Sequence, residues 1–228
     1  MTYISRASCN VLDTGLLRQP MSPSITTLHD FSREYNHGTM TDITWDQQSS
    51  RIWAMSLNGS TSCVDCGSDS SLDLPLYISV EAWLYNTQDT NWTICGKGPT
   101  ASTDTRNYIF QATNLHYVVG GIEYQCVPTT TTAGLINEWH YWAGTIDTVN
   151  DEMYLYLDGT INGSKIGTAL PSMPTVTNNL QIGRVNNGAG TYRYYLDGYI
   201  ALIRLYTYIL TSGQVLQHYE NTKHLFGV

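Results

Sequence analysis

The chain is short of charge, and the charge it has is unbalanced. Asp, Glu, Lys and Arg make up 13% of it, 11 basic residues against 19 acidic ones, for a net charge of −8. Neutralising phosphates needs clustered Lys and Arg, so nucleic acid is excluded as a primary partner. No apolar run is long enough to cross a bilayer, which excludes insertion into a membrane. The opening MTYISRASCNVLDTG lacks the apolar stretch of a secretory signal peptide. Cysteine is sparse and odd in number: Cys9, Cys63, Cys66, Cys95 and Cys126. An odd count closes no disulfide framework. Cys63 and Cys66 are half of a zinc site with no second half. In a strand their spacing of three puts them on opposite faces, so both read as small core residues. The six histidines, His29, His37, His116, His140, His218 and His224, stand in no GxSxG or HExxH context, the signatures of nucleophilic and zinc-dependent hydrolysis.

What the chain does have is tyrosine, 17 of them, and glycine, 19, in a background of Thr, Ser and Asn. That mixture suits strands and loops rather than helices. A length of 228 residues fits one large β-sandwich, and is enough to bury a core without disulfides or a metal. The segment Asn137–Ser164 (NEWHYWAGTIDTVNDEMYLYLDGTINGS) is the most informative. Trp139, Tyr141, Ala143 and Thr145 alternate with His140, Trp142, Gly144 and Ile146. Both sets are aromatic or apolar, so both faces of this strand are covered. Thr148–Asp151 reads as a turn, Met153–Leu157 as a second strand, and Asp158-Gly159 as a hairpin turn. In Leu76–Tyr85 a row of Ile78, Val80, Ala82 and Leu84 alternates with Tyr77, Ser79, Glu81, Trp83 and Tyr85. The expectation is two stacked antiparallel sheets with Trp142 and Trp83 sealed between them. Thr211 reads as the cap of a short C-terminal helix whose apolar face is Val215, Leu216 and Tyr219. Pro20 and Pro23 break any regular structure in residues 1–27, which read as an N-terminal arm preceding a domain over 28–228.

The pattern W-H-x-x-A-G-T-x-D, a turn, then Y-x-D-G-x-x-x-G-S resembles the centre of a laminin G-like domain of the concanavalin A-like lectin/glucanase superfamily. Similar matches run through Asp30–Trp45, Ser56–Asp65 (read as a strand pair turning at Asn58-Gly59), Trp92–Lys97, Leu180–Arg184 and Tyr192–Tyr206, covering roughly residues 28–222. The resemblance implies an all-β antiparallel jelly-roll sandwich with one short C-terminal helix. Such a fold hosts lectins, glycan hydrolases, adhesion modules and virion proteins alike, so the job must be argued from the site.

Three chemistries are weighed there. For calcium, a cofactor that the resemblance implies, the matching positions are Asp30, Asn36 and Asp197, oxygen ligands suited to a hard cation. For a glycan, rings that stack on a sugar and amides that meet its hydroxyls are offered by Trp92, Tyr117, Tyr192 and Tyr194, with Asn186 and Asn187 in the Gly-rich loop Val185–Thr191. For hydrolysis, Glu81 is a lone carboxylate among aromatics, with no acid two or four residues away, where the usual mechanism needs two. No residue is therefore assigned as catalytic, and the chain is expected not to be an enzyme. The first expectation is a virion surface component, a capsid decoration or tail protein, that docks through residues 1–27 onto other subunits. The alternatives are a secreted or surface carbohydrate-binding lectin module and, last, a glycan-active hydrolase. The setting expected is a virion surface or the extracellular space.

Overall fold

The computed structural model describes residues 10–15, 26–48, 51–89, 91–100, 105–130, 134–188 and 190–228. In chain order the strands are β1 (Asn10–Asp13), β2 (Thr27–Leu28), β3 (Gly38–Thr41), β4 (Thr44–Gln47), β5 (Trp53–Asn58) and β6 (Cys63–Asp65). Then come β7 (Tyr77–Asn86), β8 (Thr93–Lys97), β9 (Arg106–Gln111), β10 (Asn114–Val119), β11 (Ile122–Cys126) and β12 (Trp139–Asp147). The last six are β13 (Glu152–Leu157), β14 (Thr160–Ile166), β15 (Leu180–Ile182), β16 (Val185–Gly188), β17 (Thr191–Arg193) and β18 (Asp197–Tyr206), followed by helix α1 (Ser212–Thr222).

Two antiparallel sheets result. The first runs β14-β13-β12-β7-β18-β5-β4, with β1 also on β18; the second runs β11-β10-β9-β8-β15-β6-β3-β2. Strands β16 and β17 form a separate two-stranded hairpin. The all-β sandwich anticipated from the alternation is therefore present. The turns that set its register are the ones the glycines announced. Asp158 (φ 49°) and Gly159 (φ 78°) join β13 to β14 in the left-handed region that such a tight hairpin requires. Gly144 is needed for a different reason: a Cβ there would lie 2.9 Å from Leu115 Cδ2 of the opposite sheet, so the sheets close on each other only because that atom is missing.

The core between the sheets takes Ile78, Val80, Ala82 and Leu84 from β7 and Trp142 and Ile146 from β12, packed on Tyr108, Phe110, Leu115 and Tyr117 of the second sheet. Trp142 meets Trp92 edge-on at 5.6 Å between ring centroids. The expectation for Trp83 needs correction. It is fully buried, but on the outer face of the first sheet, beneath the C-terminal segment. Its ring stacks on Phe226 at 4.0 Å, and its Nε1 donates to Thr222 Oγ1 at 2.9 Å. A strand apolar on both faces needs two covers, and here one is a sheet and the other a single helix with its tail. That helix begins at Thr211 with a capping box to Gln214 and buries Val215, while Leu216 stays exposed.

Two further readings change. Segment 56–65 is not a hairpin, because β5 lies in the first sheet and β6 in the second. Asn58 Oδ1 accepts from the backbone N–H groups of Ser60, Thr61 and Ser62, and so shapes the crossing. Cys63 and Cys66 do point to opposite faces, Cys66 into the sandwich core and Cys63 away from it. Of the segment read as an N-terminal arm, residues 1–9 and 16–25 lie outside the described residues. Residues 10–13 form β1, stitched to β18 by Leu12↔Leu205 and Asp13↔Arg204.

Candidate functional site

The strand β7 carries Glu81 on the outer face of the first sheet, at 0% exposure. Its Oε1 accepts from Arg204 Nη1 at 2.9 Å and Tyr206 Oη at 2.6 Å, both from β18. Its Oε2 accepts from Tyr141 Oη on β12 and from His218 Nδ1 of α1, the latter at 2.8 Å. Burial pushes this carboxyl up. The His218 hydrogen bond and the Arg204 charge outweigh that and hold it at about 2. An ionised carboxylate only accepts, so His218 carries its proton on Nδ1. Both oxygens are saturated and sealed from solvent. The group is therefore a fastener between the sheet and the helix, as the missing second acid suggested, and it has no lone pair left for a substrate.

The calcium positions do not assemble one site. Asp30 is buried, and its carboxylate accepts four hydrogen bonds, from Asp13 N, Ser32 N, Ser32 Oγ and Asn36 N, between 2.6 and 2.8 Å. An oxygen pair ringed by N–H and O–H donors is organised for a loop, not for a cation. Asn36 donates its amide to Val11 O and Ser71 Oγ. Asp197 opens β18, whereas Asp13, bound to Asp30, pairs with Arg204 seven residues further along, about 23 Å away. Among the described residues no group of three His, Cys, Asp or Glu side chains could hold a metal.

Two of the six glycan candidates are also corrected. Trp92 (1% exposed) and Tyr117 (0%) are core residues, the first against Trp142 and the second with its hydroxyl on Pro171 O. A ring sealed between sheets has no face for a sugar. The error came from reading aromatic identity without the register that turns these two inward.

Three of the other four lie on one hairpin, and Tyr194 directly follows its second strand. Strands β16 and β17 lie across the outer face of the second sheet, where Val185 seats over Gly96, whose missing Cβ would be 3.3 Å from Val185 Cγ2. Thr100 N donates to Asn186 O at 2.8 Å, and Thr93 N to Tyr194 O at 2.9 Å, which pins the hairpin down. Asn186 Oδ1 accepts from Gly188 N, and Asn187 Oδ1 from Thr100 Oγ1. Tyr192 and Tyr194 are half-buried, each with a guanidinium over one ring face: Arg184 over Tyr192 at 3.5 Å and Arg193 over Tyr194 at 4.6 Å. Arg106 comes from β9 and reaches Glu123 Oε1 at 3.2 Å. Burial, and then the Arg106 charge, push the neighbouring His116 imidazole down to about 3, so it is neutral at physiological pH. The arginines escaped sequence reasoning. Arg184 and Arg193 flank the Gly-rich loop, which was a usable signal, but Arg106 is brought there only by sheet pairing.

A separate surface groove of about 410 Å³ is lined by Val11, Glu34, Ser71, Asp73, Tyr77 and Thr207 among others. Its Asp73 is committed to the buried Lys97, 2.7 Å away, and to Asn107 Nδ2.

A laminin G-type family model, described as the concanavalin A-like lectin/glucanases superfamily, matches residues 58–216. No curated protein matches the sequence. Among solved structures, the chain is similar to domain 4 of AbnA, a GH43 extracellular arabinanase from Geobacillus stearothermophilus, in complex with arabinotriose. The identity is 20%, the TM-score 0.66, and the match covers 91% of this chain and 97% of that one. The binding domain of Paraclostridial Mosquitocidal Protein 1 matches with 12% identity and a TM-score of 0.68, over 95% of this chain and 53% of that one. The binding domain of botulinum neurotoxin serotype D matches with 12% identity and a TM-score of 0.64, over 94% and 52%. The chain thus spans about half the length of these toxin binding domains. These likenesses show a lectin-like fold.

Proposed function

For a chain that belongs to the concanavalin A-like lectin/glucanases superfamily, we propose a non-catalytic saccharide-binding role centred on the β16–β17 hairpin. The observation that carries it is the gathering of Asn186, Asn187 and Tyr192 on this one element and of Tyr194 directly after it, with a guanidinium over each tyrosine ring. Rings held at a fixed tilt beside amide groups are the equipment for stacking on a sugar and reading its hydroxyls. The arabinotriose bound to the similar AbnA domain supports the ligand class, and that enzyme's extracellular setting supports an extracellular or surface location.

Hydrolysis has less support. Glu81 is sealed and saturated, and Asp73 in the groove is engaged by Lys97. A virion surface component docking through residues 1–27 also has less support, because residues 10–13 are used within the chain's own first sheet.

Calorimetric titration of the chain with a panel of oligosaccharides tests the proposal. Tyr192→Ala and Tyr194→Ala are expected to weaken binding about tenfold each, the loss of one stacking contact. Binding that is indifferent to both substitutions would contradict it. Release of reducing ends that is abolished by Glu34→Gln would replace binding with hydrolysis.

A further inference from the structure

We infer that the hairpin face takes an anionic saccharide, one bearing a carboxylate or a sulfate, and that Arg184 and Arg193 read its charge. This rests on the saccharide-binding role proposed above and names the class of sugar. The chain has a net charge of −8 and only eight arginines, yet two of them meet beside this hairpin and a third, Arg184, lies over its Tyr192. Arg106 Nη2 and Arg193 Nη2 both donate to the carbonyl of Thr100, at 3.0 and 3.2 Å, which sets two guanidiniums side by side. Arg184 stands one residue before Val185, the cross-strand partner of Arg193.

Negative charge to match them is scarce. Glu123 answers Arg106 at 3.2 Å. Among the described residues, Arg184 and Arg193 have no carboxylate within ion-pair distance. Arg204, on the other sheet, shows what a satisfied arginine looks like in this fold, with Asp13 at 3.0 Å and Glu81 at 2.9 Å.

Donors are also left over. Gln181 is 1% exposed; its Oε1 accepts from Arg184 Nε at 2.9 Å, and among the described residues its own Nε2 has no partner. Arg193 Nε is likewise buried without one among the described residues. Buried donors normally find acceptors; these two are sealed, so a ligand rich in charged oxygens would meet the guanidiniums of this face rather than them. A planar guanidinium suits a carboxylate or sulfate through paired hydrogen bonds, while Tyr192 and Tyr194 give the sugar ring a surface. That pairing of charge with half-buried rings on one small hairpin favours a saccharide over an acidic protein surface, which would need a wider patch.

The test titrates the whole chain with trigalacturonate, with a sulfated disaccharide and with neutral arabinotriose, at low and high salt. The expected result is that at least one anionic probe binds about tenfold or more tightly than arabinotriose, and that high salt removes this gain. Arg184→Gln and Arg193→Gln should each reduce anionic binding by about tenfold more than they reduce neutral binding. The two anionic probes separate a carboxylate from a sulfate. Equal affinity for all three sugars, or no effect of salt, would overturn the anionic assignment and leave the saccharide-binding role standing. Failure of every sugar to bind would remove both. Should the arginine variants not fold, the salt series on the unaltered chain still decides.

Discussion

Replacing Glu81 with Gln should cost this domain a large part of its stability, and the loss should fade in acid. The carboxyl is held at about 2 where 4.5 is its ordinary value. That depression corresponds to about 3 kcal/mol of folding free energy at neutral pH. A group whose folded value is lowered contributes above its unfolded value and stops contributing as pH falls through the folded one. The contribution is thus complete above about pH 5, more than half gone by about pH 3, and absent below about pH 2. In the Gln variant Arg204 keeps only Asp13 as a carboxylate partner, and an amide N–H₂ faces one of the donor pairs, His218 with Tyr141 or Arg204 with Tyr206. Breaking a buried ion pair in this way costs about 3–5 kcal/mol. Urea unfolding followed by tryptophan fluorescence measures it well, because Trp83 lies in the same buried cluster as Tyr141 and Tyr206. The expected gap between the two proteins is several kcal/mol at pH 7, shrinking steadily towards pH 2. A variant within about 0.5 kcal/mol of the parent at pH 7, or a gap that does not change with pH, would refute the reasoning.

Four other substitutions probe separate parts of the fold. At Gly198 (φ +140°) a Cβ would lie 2.0 Å from the Tyr85 carbonyl oxygen, so Gly198→Ala should cost about 3 kcal/mol or more; Gly120→Ala (φ +57°, open space) should cost about 1 kcal/mol, and denaturant midpoints compare them. Asp30→Ala removes an acceptor of four hydrogen bonds and should lose about 2–4 kcal/mol. That loss should be equal with calcium or with a chelator present, since a calcium-dependent loss would restore a metal to this loop. Phe226→Ala removes the ring stacked on Trp83 and should lose about 3 kcal/mol, with faster amide exchange across residues 212–222.

The sandwich was legible because period-two alternation states which residues share a face, and β7 and β12 obey it residue by residue. The alternation does not say what covers each face. Trp83 could be read as buried, but its cover is the tail carrying Thr222 and Phe226, about 140 residues away in sequence and with only a weak apolar pattern of its own. Glu81 was legible as a satisfied carboxylate from the missing neighbouring acid, while its partners Tyr141, Arg204, Tyr206 and His218 come from three other elements and only the sheet order names them. The Gly-rich loop was visible as a recognition candidate. That it folds back as a hairpin, and that Arg106 lies under it, follows from Val185 seating on Gly96, a contact that leaves no local trace in the sequence. Trp92 and Tyr117 show the reverse: aromatic residues are attractive candidates until the register turns them inward.

The most direct test of the account is hydrogen exchange mapped along the chain with and without saturating trigalacturonate or sulfated disaccharide. Slower exchange confined to the hairpin Val185–Arg193 and to the Thr100 and Arg106 amides that support it is the predicted result. Protection centred instead on the groove around Ser71–Tyr77, or no protection with any saccharide that binds, would contradict it.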